Sequence, residues 1–285
     1  MEIFNNWKFW AILYLVCSVT FSQTFKRANR NMKNAGNLTI LLEVFAALSA
    51  ILFLPFFEFT FPSDPNVYLT LLAVIIVYAA TDRLNIEARY GLDPSVFSML
   101  KQISTVFLMI FGFIFLKEPV ILKKIIGAIL VIVANIILTI EKGKIKLNKY
   151  FIMCFISNFL FAIAMFINVN ISDNFNLAFY TIMTVFFPSI IIFLVGRHSI
   201  KGLKEEFNLY DKPKFLLASF CWCLMLIASV RAYQLGNVTV IAPILTLTSI
   251  LNTGYEYFID KNKNKILQKV IASLMIILGV LLIRS

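Results

Sequence analysis

Apolar runs close to the length of a membrane span, separated by short charged turns, make up nearly the whole sequence. Hydrophobic residues occupy 60% of the 285 positions, charged residues occupy 14%, and the mean hydropathy is +0.85. Since a helix needs roughly 20 apolar residues to cross a bilayer, the pattern predicts an all-α polytopic membrane protein. A transmembrane β-barrel is excluded because its strands alternate apolar and polar residues, whereas these runs are continuously apolar.

Ten such runs fill the chain and leave no room for a soluble domain. We predict transmembrane helices at residues 8–26, 38–57, 67–89, 94–116, 120–140, 150–170, 176–196, 214–235, 238–259 and 266–284. The polar segment 142–146 connects a first half, residues 1–141, to a second half, residues 147–285. Because each half holds an odd number of spans, the second half must cross the bilayer upside down relative to the first.

The two halves also share a sequence pattern at an offset of 144 residues, without a gap. Asp93 and Asn237, both favoured helix N-cap residues, occupy matching positions at the start of a span. Between residues 88–139 and 232–283, seven positions are identical, a number that apolar sequences approach by chance: Ala88/Ala232, Val96/Val240, Lys117/Lys261, Ala128/Ala272, Leu130/Leu274, Ile132/Ile276 and Leu138/Leu282. The shared helix start and the unbroken register therefore carry the prediction of two inverted five-helix repeats.

A turn and three further segments carry a family resemblance. They are Phe115-Leu116-Lys117-Glu118-Pro119, Ile126-Gly127-Ala128-Ile129-Leu130, Arg231-Ala232-Tyr233-Gln234-Leu235-Gly236 and Ile241-Ala242-Pro243. In this combination the chain resembles the drug/metabolite transporter superfamily, specifically its EamA-type members, over nearly its whole length. The resemblance implies ten helices in two inverted repeats, a central cavity lined chiefly by helices 1, 3, 4, 6, 8 and 9, and cytoplasmic termini. The second half departs from the family pattern, since residues 260–263 replace a common Gly-Glu pair and Ile271 replaces an expected glycine.

The net charge of +11 comes from bases in turns next to apolar spans, which leaves no soluble basic face for nucleic acid. His198 is the only histidine, and the sequence has no HExxH, Gly-x-Ser-x-Gly or P-loop pattern. We therefore expect no enzyme activity, no metal, no cofactor and no ATP-driven motor. The expected partners are the lipid bilayer and a small-molecule substrate. We expect a monomer or a homodimer in the cell membrane, either a plasma membrane or a bacterial inner membrane.

Ionisable side chains at membrane depth are costly and mark transport pathways, so they are the first candidates for substrate contact. Lys101 lies seven residues after Pro94, which places it roughly 10 Å into the bilayer at about 1.5 Å per residue. Gln102 stands beside it, and Asp82 has no base four residues further along its own helix. An ammonium group at this depth predicts binding of an anionic group. A structural ion pair with a carboxylate such as Asp82 is the alternative.

A polar stripe on the ninth span supplies further candidates. Thr248, Asn252 and Glu256 recur every four residues, so all three face one surface of the helix. Arg231 and Gln234 end the eighth span near the start of that stripe. Three other polar residues within apolar spans are expected either to bind substrate or to supply packing polarity: Tyr14, Ser18 and Asn158.

Two carboxylates are candidates for proton coupling. Glu43 lies near the start of the second span, where it is either a proton or cation site or an end residue that reaches interfacial water. Glu256 has the same two interpretations. Uniport and exchange are equally compatible with the sequence, so protons are a candidate partner and not a required one.

These features predict a secondary transporter that exports a small metabolite by alternating access between the two repeats. Lys101 favours a carboxylate-bearing or zwitterionic solute such as an amino acid. The alternative within the superfamily is a multidrug exporter of lipophilic cations. Two different classes, an intramembrane enzyme and a non-transporting receptor, are disfavoured by the missing catalytic motifs and by the polar groups at mid-depth.

The distribution of bases predicts the membrane orientation. The connections after spans 1, 3, 5, 7 and 9, together with the span ends next to them, hold 17 Lys and Arg residues, whereas the connections and span ends on the opposite side hold five. The positive-inside rule then places both termini outside the cytoplasm, in contrast to the family resemblance. A reporter fused after Ser285 should therefore give a non-cytoplasmic signal, with a fusion in the basic connection 197–213 as the cytoplasmic control. A cytoplasmic signal at Ser285 would contradict the charge argument.

Overall fold

The computed structural model describes residues 2–115, 117, 119–141, 144–145, 148–168, 171–236, 241, 244–261 and 265–284. The helices of this part of the chain are α1 (Trp7–Ala28), α2 (Ala35–Ile51), α3 (Pro65–Gly91), α4 (Pro94–Leu100), α5 (Ile103–Phe115), α6 (Leu122–Thr139), α7 (Lys149–Asn168), α8 (Leu177–Val195), α9 (Ile200–Phe207), α10 (Lys212–Leu235), α11 (Thr248–Phe258) and α12 (Ile266–Arg284). Short 3₁₀ helices lie at Glu2–Asn5, Leu54–Phe56 and Ser172–Asn174. A two-residue antiparallel ladder pairs β1 (Ile140–Glu141) with β2 (Lys144–Ile145).

Polar N-cap residues set where several helices begin. Asn34 accepts hydrogen bonds from the backbone N–H groups of Gly36 and Asn37 at 2.9 and 3.1 Å. Asp64 and Asp211 cap α3 and α10 in the same way, and in each helix a proline occupies the first turn. Because these side chains replace the missing intrahelical acceptors, polar turn residues fix the helix starts at the edges of the apolar runs.

Six helical segments of the described chain are long and apolar enough to cross a membrane: Pro65–Gly91, Pro94–Phe115, Lys149–Ile167, Leu177–Val195, Lys212–Leu235 and Ile266–Arg284. The helix Ala35–Ile51 is apolar but shorter. The chain is therefore a multi-pass membrane protein built from helices. The expected ninth span, 238–259, is only partly described, because residues 237–240 and 242–243, with the expected N-cap Asn237, lie outside the described residues.

The expected continuous helix over residues 94–116 is divided into α4 and α5 at Lys101 and Gln102. Around this break the backbone N–H groups reach back three residues instead of four: Gln102 to Met99 at 3.0 Å, Ser104 to Lys101 at 3.2 Å and Thr105 to Gln102 at 3.1 Å. This tighter geometry inside a span frequently marks a functional hinge. Neither proline nor glycine stands at the break, so the local sequence does not predict it.

The helices pack mainly in pairs that join the first half of the chain to the second. The dominant pairs are α1 with α10, α6 with α12, α3 with α7, and α2 with α8. In the first pair, the Phe21 ring stacks on the Trp222 ring with centroids 5.8 Å apart. The core is therefore formed between the halves, and neither half buries its apolar faces by itself.

The α6 and α12 helices approach closely at Gly127 and Gly279. A Cβ atom at Gly127 would lie 2.5 Å from the backbone oxygen of Gly279, and one at Gly279 would lie 2.7 Å from that of Gly127. Such distances are shorter than van der Waals contact, so any side chain would push the helices apart. A Cβ atom at Gly254 on α11 would meet nothing within 4 Å.

We expect Gly127→Ala and Gly279→Ala each to lower the free energy of unfolding by about 1–3 kcal/mol, because an added methyl group overpacks the contact. The matched control, Gly254→Ala, adds the same methyl group in open space and should leave stability unchanged or slightly higher. Thermal unfolding of the detergent-purified protein measures the difference. Equal unfolding temperatures for Gly127→Ala and Gly254→Ala would be incompatible with the close helix contact.

Candidate functional site

A small polar cavity lies between α1, α3, α4 and α11, beside the break that follows α4. Its volume of about 10 Å³ is roughly the space that one water molecule needs. Its lining is formed by Tyr14, Ser18, Ser22, Arg89, Phe97, Ser98, Lys101, Gln102 and Thr248. Five of these were candidates from sequence: Tyr14, Ser18, Lys101, Gln102 and Thr248. The fold thus brings candidates from distant parts of the chain to one cavity, which has room for about one water molecule in this conformation.

Asn158 of α7 supports the break between α4 and α5. Its Nδ2 donates a hydrogen bond to the backbone oxygen of Leu100 at 3.0 Å. In a continuous helix that oxygen would accept from the N–H of Ser104, which instead donates to the oxygen of Lys101. Asn158 therefore replaces a lost backbone hydrogen bond, and it lies behind the cavity lining and not in it.

Lys101 has no carboxylate partner within salt-bridge distance among the described residues. Its Nζ atom lies 5.4 Å from the ring centroid of Phe161 on α7, a cation–π contact. Asp82 of α3 interacts with Lys101 electrostatically, from beyond ion-pair distance. The ammonium group is therefore placed in the cavity without a direct anionic partner from the described chain.

Arg89 is a cavity residue that the sequence reasoning did not select. Its guanidinium lies between two rings, with Cζ 4.0 Å from the Phe97 centroid and 4.7 Å from the Phe21 centroid. It donates hydrogen bonds to Asn85 Oδ1 at 3.3 Å and to Ser22 Oγ at 3.5 Å. In the sequence, Arg89 is a base at the edge of an apolar run, which could have marked it as a candidate. Its position at the end of the predicted span 67–89 instead indicated a residue at the membrane interface.

Glu43 of α2 interacts with Asp82 of α3 inside the bundle. Glu43 has a relative exposure of 0%, and neither carboxyl oxygen has a hydrogen-bond partner in the described part of the chain. Its strongest electrostatic neighbour is the Asp82 carboxyl group. Because a buried carboxylate without a base or a donor is costly, this environment favours the neutral acid. Burial of this kind supports the proton-site interpretation of Glu43 over that of a hydrated end residue.

A buried ion network closes the end of the bundle where α1, α3 and α11 end and α4 and α12 begin. Glu256 accepts hydrogen bonds from the N–H and hydroxyl groups of Ser95 at 2.7 and 2.6 Å and from Lys269 Nζ at 2.7 Å. Lys269 also contacts Asp93 at 3.1 Å, and Asp93 pairs with Lys26 at 2.8 Å. The Lys269 and Glu256 side chains are only 3% and 4% exposed, whereas Lys26 and Asp93 at the edge of the network are 40% and 31% exposed. The network therefore joins four helices around a buried central ion pair.

Within this network, Glu256 takes over the capping of α4. Asp93 occupies the N-cap position, but its side chain makes no capping hydrogen bond, because it faces Lys26 and Lys269. Burial raises the pKa of the Asp93 carboxyl group, but the two lysines outweigh that effect and hold the pKa below its ordinary value. The Glu256 carboxylate instead binds the Ser95 N–H at the positive end of the helix.

Three sequence candidates lie away from the polar cavity. Asn252 is fully buried and accepts a hydrogen bond from Gln23 Nε2 at 3.0 Å, which links α11 to α1. Arg231 and Gln234 lie at the end of the bundle opposite the buried ion network. There Arg231 donates to Gln234 at 3.2 Å, and Gln234 donates to Asp173 at 3.0 Å. These contacts join helices and do not reach the cavity lining.

Comparison with known proteins explains this architecture. Residues 5–140, just under half of the chain, match the family model described as the EamA-like transporter family. Over these residues the chain is similar to the EamA-like transporter family. That family is part of the drug/metabolite transporter superfamily, so the resemblance predicted from the sequence is confirmed over residues 5–140. The EamA-like unit contains α1 to α6 and supplies all of the cavity lining except Thr248.

The other comparisons concern the fold alone. A solved crystal structure aligns with 96% of this chain and 94% of its own chain, with a TM-score of 0.57 and 9% sequence identity. At that identity the similarity extends to the path of the helices and not to a substrate. No curated protein matches the chain.

We expect Glu256→Gln to lower the free energy of unfolding by about 2–3 kcal/mol, because Lys269 keeps only Asp93 as a charged partner and Ser95 loses a charged acceptor. The control is Glu205→Gln on α9, whose partner Lys201 lies 3.9 Å away in an exposed pair. That change should cost less than about 1 kcal/mol. Denaturation in detergent measures both variants, and similar losses in the two would show that the buried ion network adds no particular stability.

Proposed function

We propose that this protein is a secondary carrier of the drug/metabolite transporter type that exports a small carboxylate-bearing or zwitterionic metabolite, such as an amino acid. The observation that carries this proposal is the polar cavity at the break in the fourth span, with Lys101 in its lining. Interrupted helices at membrane depth are typical of substrate sites in secondary carriers. An ammonium group without a close carboxylate there would bind the carboxylate of the solute.

The carrier is expected to consist of ten spans in two inverted five-helix repeats, residues 1–141 and 147–285. Exchanging the repeats replaces α1 by α7 and α10 by α3, so the packing of α1 on α10 corresponds to that of α7 on α3. The α2–α8 and α6–α12 pairs correspond to themselves. This pattern of packing is the one that a twofold relation between inverted repeats requires.

Backbone conformations at the 144-residue offset agree with the same relation. Lys117 and Lys261 both adopt the left-handed region, with φ of 53° and 54°. Few non-glycine residues do so, which makes a coincidence at matching positions informative. The second repeat also interrupts its helix before Thr248, at Leu247, whose N–H reaches back three residues to Ile244. Leu247 corresponds to Ile103, directly after the break at Lys101 and Gln102.

Alternating access would open the cavity by separating helices at one end of the bundle at a time. The buried ion network joins α1, α4, α11 and α12 at one end of the bundle, so opening that end would require the network to break. Protonation of Glu256 would weaken its bond to Lys269, so Glu256 remains a coupling candidate within that network. Glu43 with Asp82 is the other candidate, since Glu43 is fully buried and its carboxyl group interacts with that of Asp82. Substrate exchange without protons would use the same movement.

The exporter of lipophilic cations fits the cavity less well. The two charged residues in its lining, Arg89 and Lys101, are both basic. A cation would be repelled by these groups unless a carboxylate outside the lining compensated for them. The geometry therefore favours the solute that carries a negative group.

Uptake and efflux in liposomes, measured across amino acids, sugars and quaternary amines, test the carrier function. The wild-type protein should move carboxylate-bearing solutes, and Lys101→Ala should reduce their transport at least tenfold or redirect selectivity. Lys201→Ala, an exposed lysine on α9, is the matched control and should behave as wild type. Transport of quaternary amines alone would establish the cation exporter instead, and full activity of Lys101→Ala with unchanged selectivity would remove Lys101 from the site.

A further inference from the structure

Arg89 adds a second base to the polar cavity, and this changes what the cavity can select. We propose that Arg89 and Lys101 together form the binding site for a single carboxylate group, with Arg89 as the residue that distinguishes a carboxylate from its neutral analogues. The inference rests on the proposed carrier function for its physiological meaning. Its physical basis is the geometry of the two bases.

The guanidinium of Arg89 is held in place, but its N–H donors are only partly used by the described chain. The rings of Phe21 and Phe97 restrict its position, with Cζ 4.7 and 4.0 Å from their centroids. A guanidinium has five N–H donors, and two hydrogen bonds, to Asn85 and Ser22, are formed within the described chain. Donors therefore remain for a ligand in the cavity that Arg89 lines.

No carboxylate of the described residues neutralises Arg89 directly. The carboxylates on its own helix and its neighbours have other partners: Glu87 pairs with Arg83 at 2.8 Å, and Asp93 pairs with Lys26 at 2.8 Å. Asp82 acts on Arg89 and Lys101 only from beyond ion-pair distance. A partly buried base in this situation gains most from an anion that enters the cavity.

The balance of charge sets the number of negative groups on the ligand. Glu43 is fully buried and interacts with the partly buried Asp82 carboxyl group, and two interacting like charges in a low-dielectric interior are not both ionised. The pair therefore supplies at most one negative charge against the two positive charges of Arg89 and Lys101. One carboxylate from the solute restores neutrality, whereas a neutral solute leaves a positive charge unpaired.

Arg89 and Lys101 would have different roles in binding the carboxylate. A guanidinium offers parallel N–H groups that match the two oxygens of a carboxylate, whereas an ammonium group acts as a point charge. Arg89 therefore recognises the planar shape of the group, and Lys101 supplies additional charge.

Ligand-induced thermal stabilisation of the purified full-length protein tests this site without requiring transport. The probes are L-alanine, L-lactate and succinate, each compared with its methyl ester, and the shift in unfolding temperature with concentration gives the affinity. The wild-type protein should bind at least one of the two monocarboxylates at least tenfold more tightly than its ester and should prefer it to succinate. Arg89→Gln should remove that preference, and Arg89→Lys should restore part of it.

Arg83→Gln is the matched control on the same helix, since Arg83 is more exposed and pairs with Glu87; it should keep the wild-type preference. Unfolding temperatures without ligand show whether each variant is folded. The inference is overturned if the wild-type protein binds acids and esters equally or not at all, or if Arg89→Gln keeps the preference. Acid-selective binding without transport in liposomes would leave this site standing and refute the carrier function, so the two failures are distinguishable.

Discussion

A backbone N–H or C=O group left unpaired in lipid costs several kcal/mol, so every irregularity within a span needs a partner from the protein. The break between α4 and α5 meets this requirement in two ways. Its N–H groups shift to acceptors three residues back, and Asn158 from α7 supplies the hydrogen bond that the Leu100 oxygen loses. The cavity, with Lys101 and Gln102 in its lining, lies beside this supported interruption.

The protein places charge inside the helical bundle in two contrasting environments. In the buried ion network, the Glu256 carboxylate is occupied by Ser95 and Lys269, so the charge serves to hold helices together. In the polar cavity, Arg89 and Lys101 keep donors that no described carboxylate occupies. Whether a charged group already has partners for its hydrogen-bonding atoms therefore distinguishes a structural contact from a binding site more clearly than the burial of that group does.

The sequence predicted the helical membrane architecture well, because the length of an apolar run is a local property of the chain. The match of residues 5–140 to the family model confirmed the predicted family resemblance. The sequence also selected Lys101, Gln102 and Thr248, because polar residues inside spans stand out against an apolar background. The break at Lys101 was not predictable, since it depends on a hydrogen bond from Asn158, 58 residues away. The pairing of Glu256 with Ser95 and Lys269 likewise depends on contacts between helices, and Arg89 was obscured by its place at the end of a predicted span.

The contact between Gly127 and Gly279 has a mechanical consequence. Two helices whose backbones touch at one point can tilt about that point but cannot easily separate there. Gly127 lies five residues from the start of α6 and twelve from its end, distances of about 8 and 18 Å at about 1.5 Å per residue. A tilt of α6 about the Gly127 contact displaces its C-terminal end roughly twice as far as its N-terminal end. Because of the position of Gly127, a tilt of α6 would therefore open the bundle further at one face of the membrane than at the other.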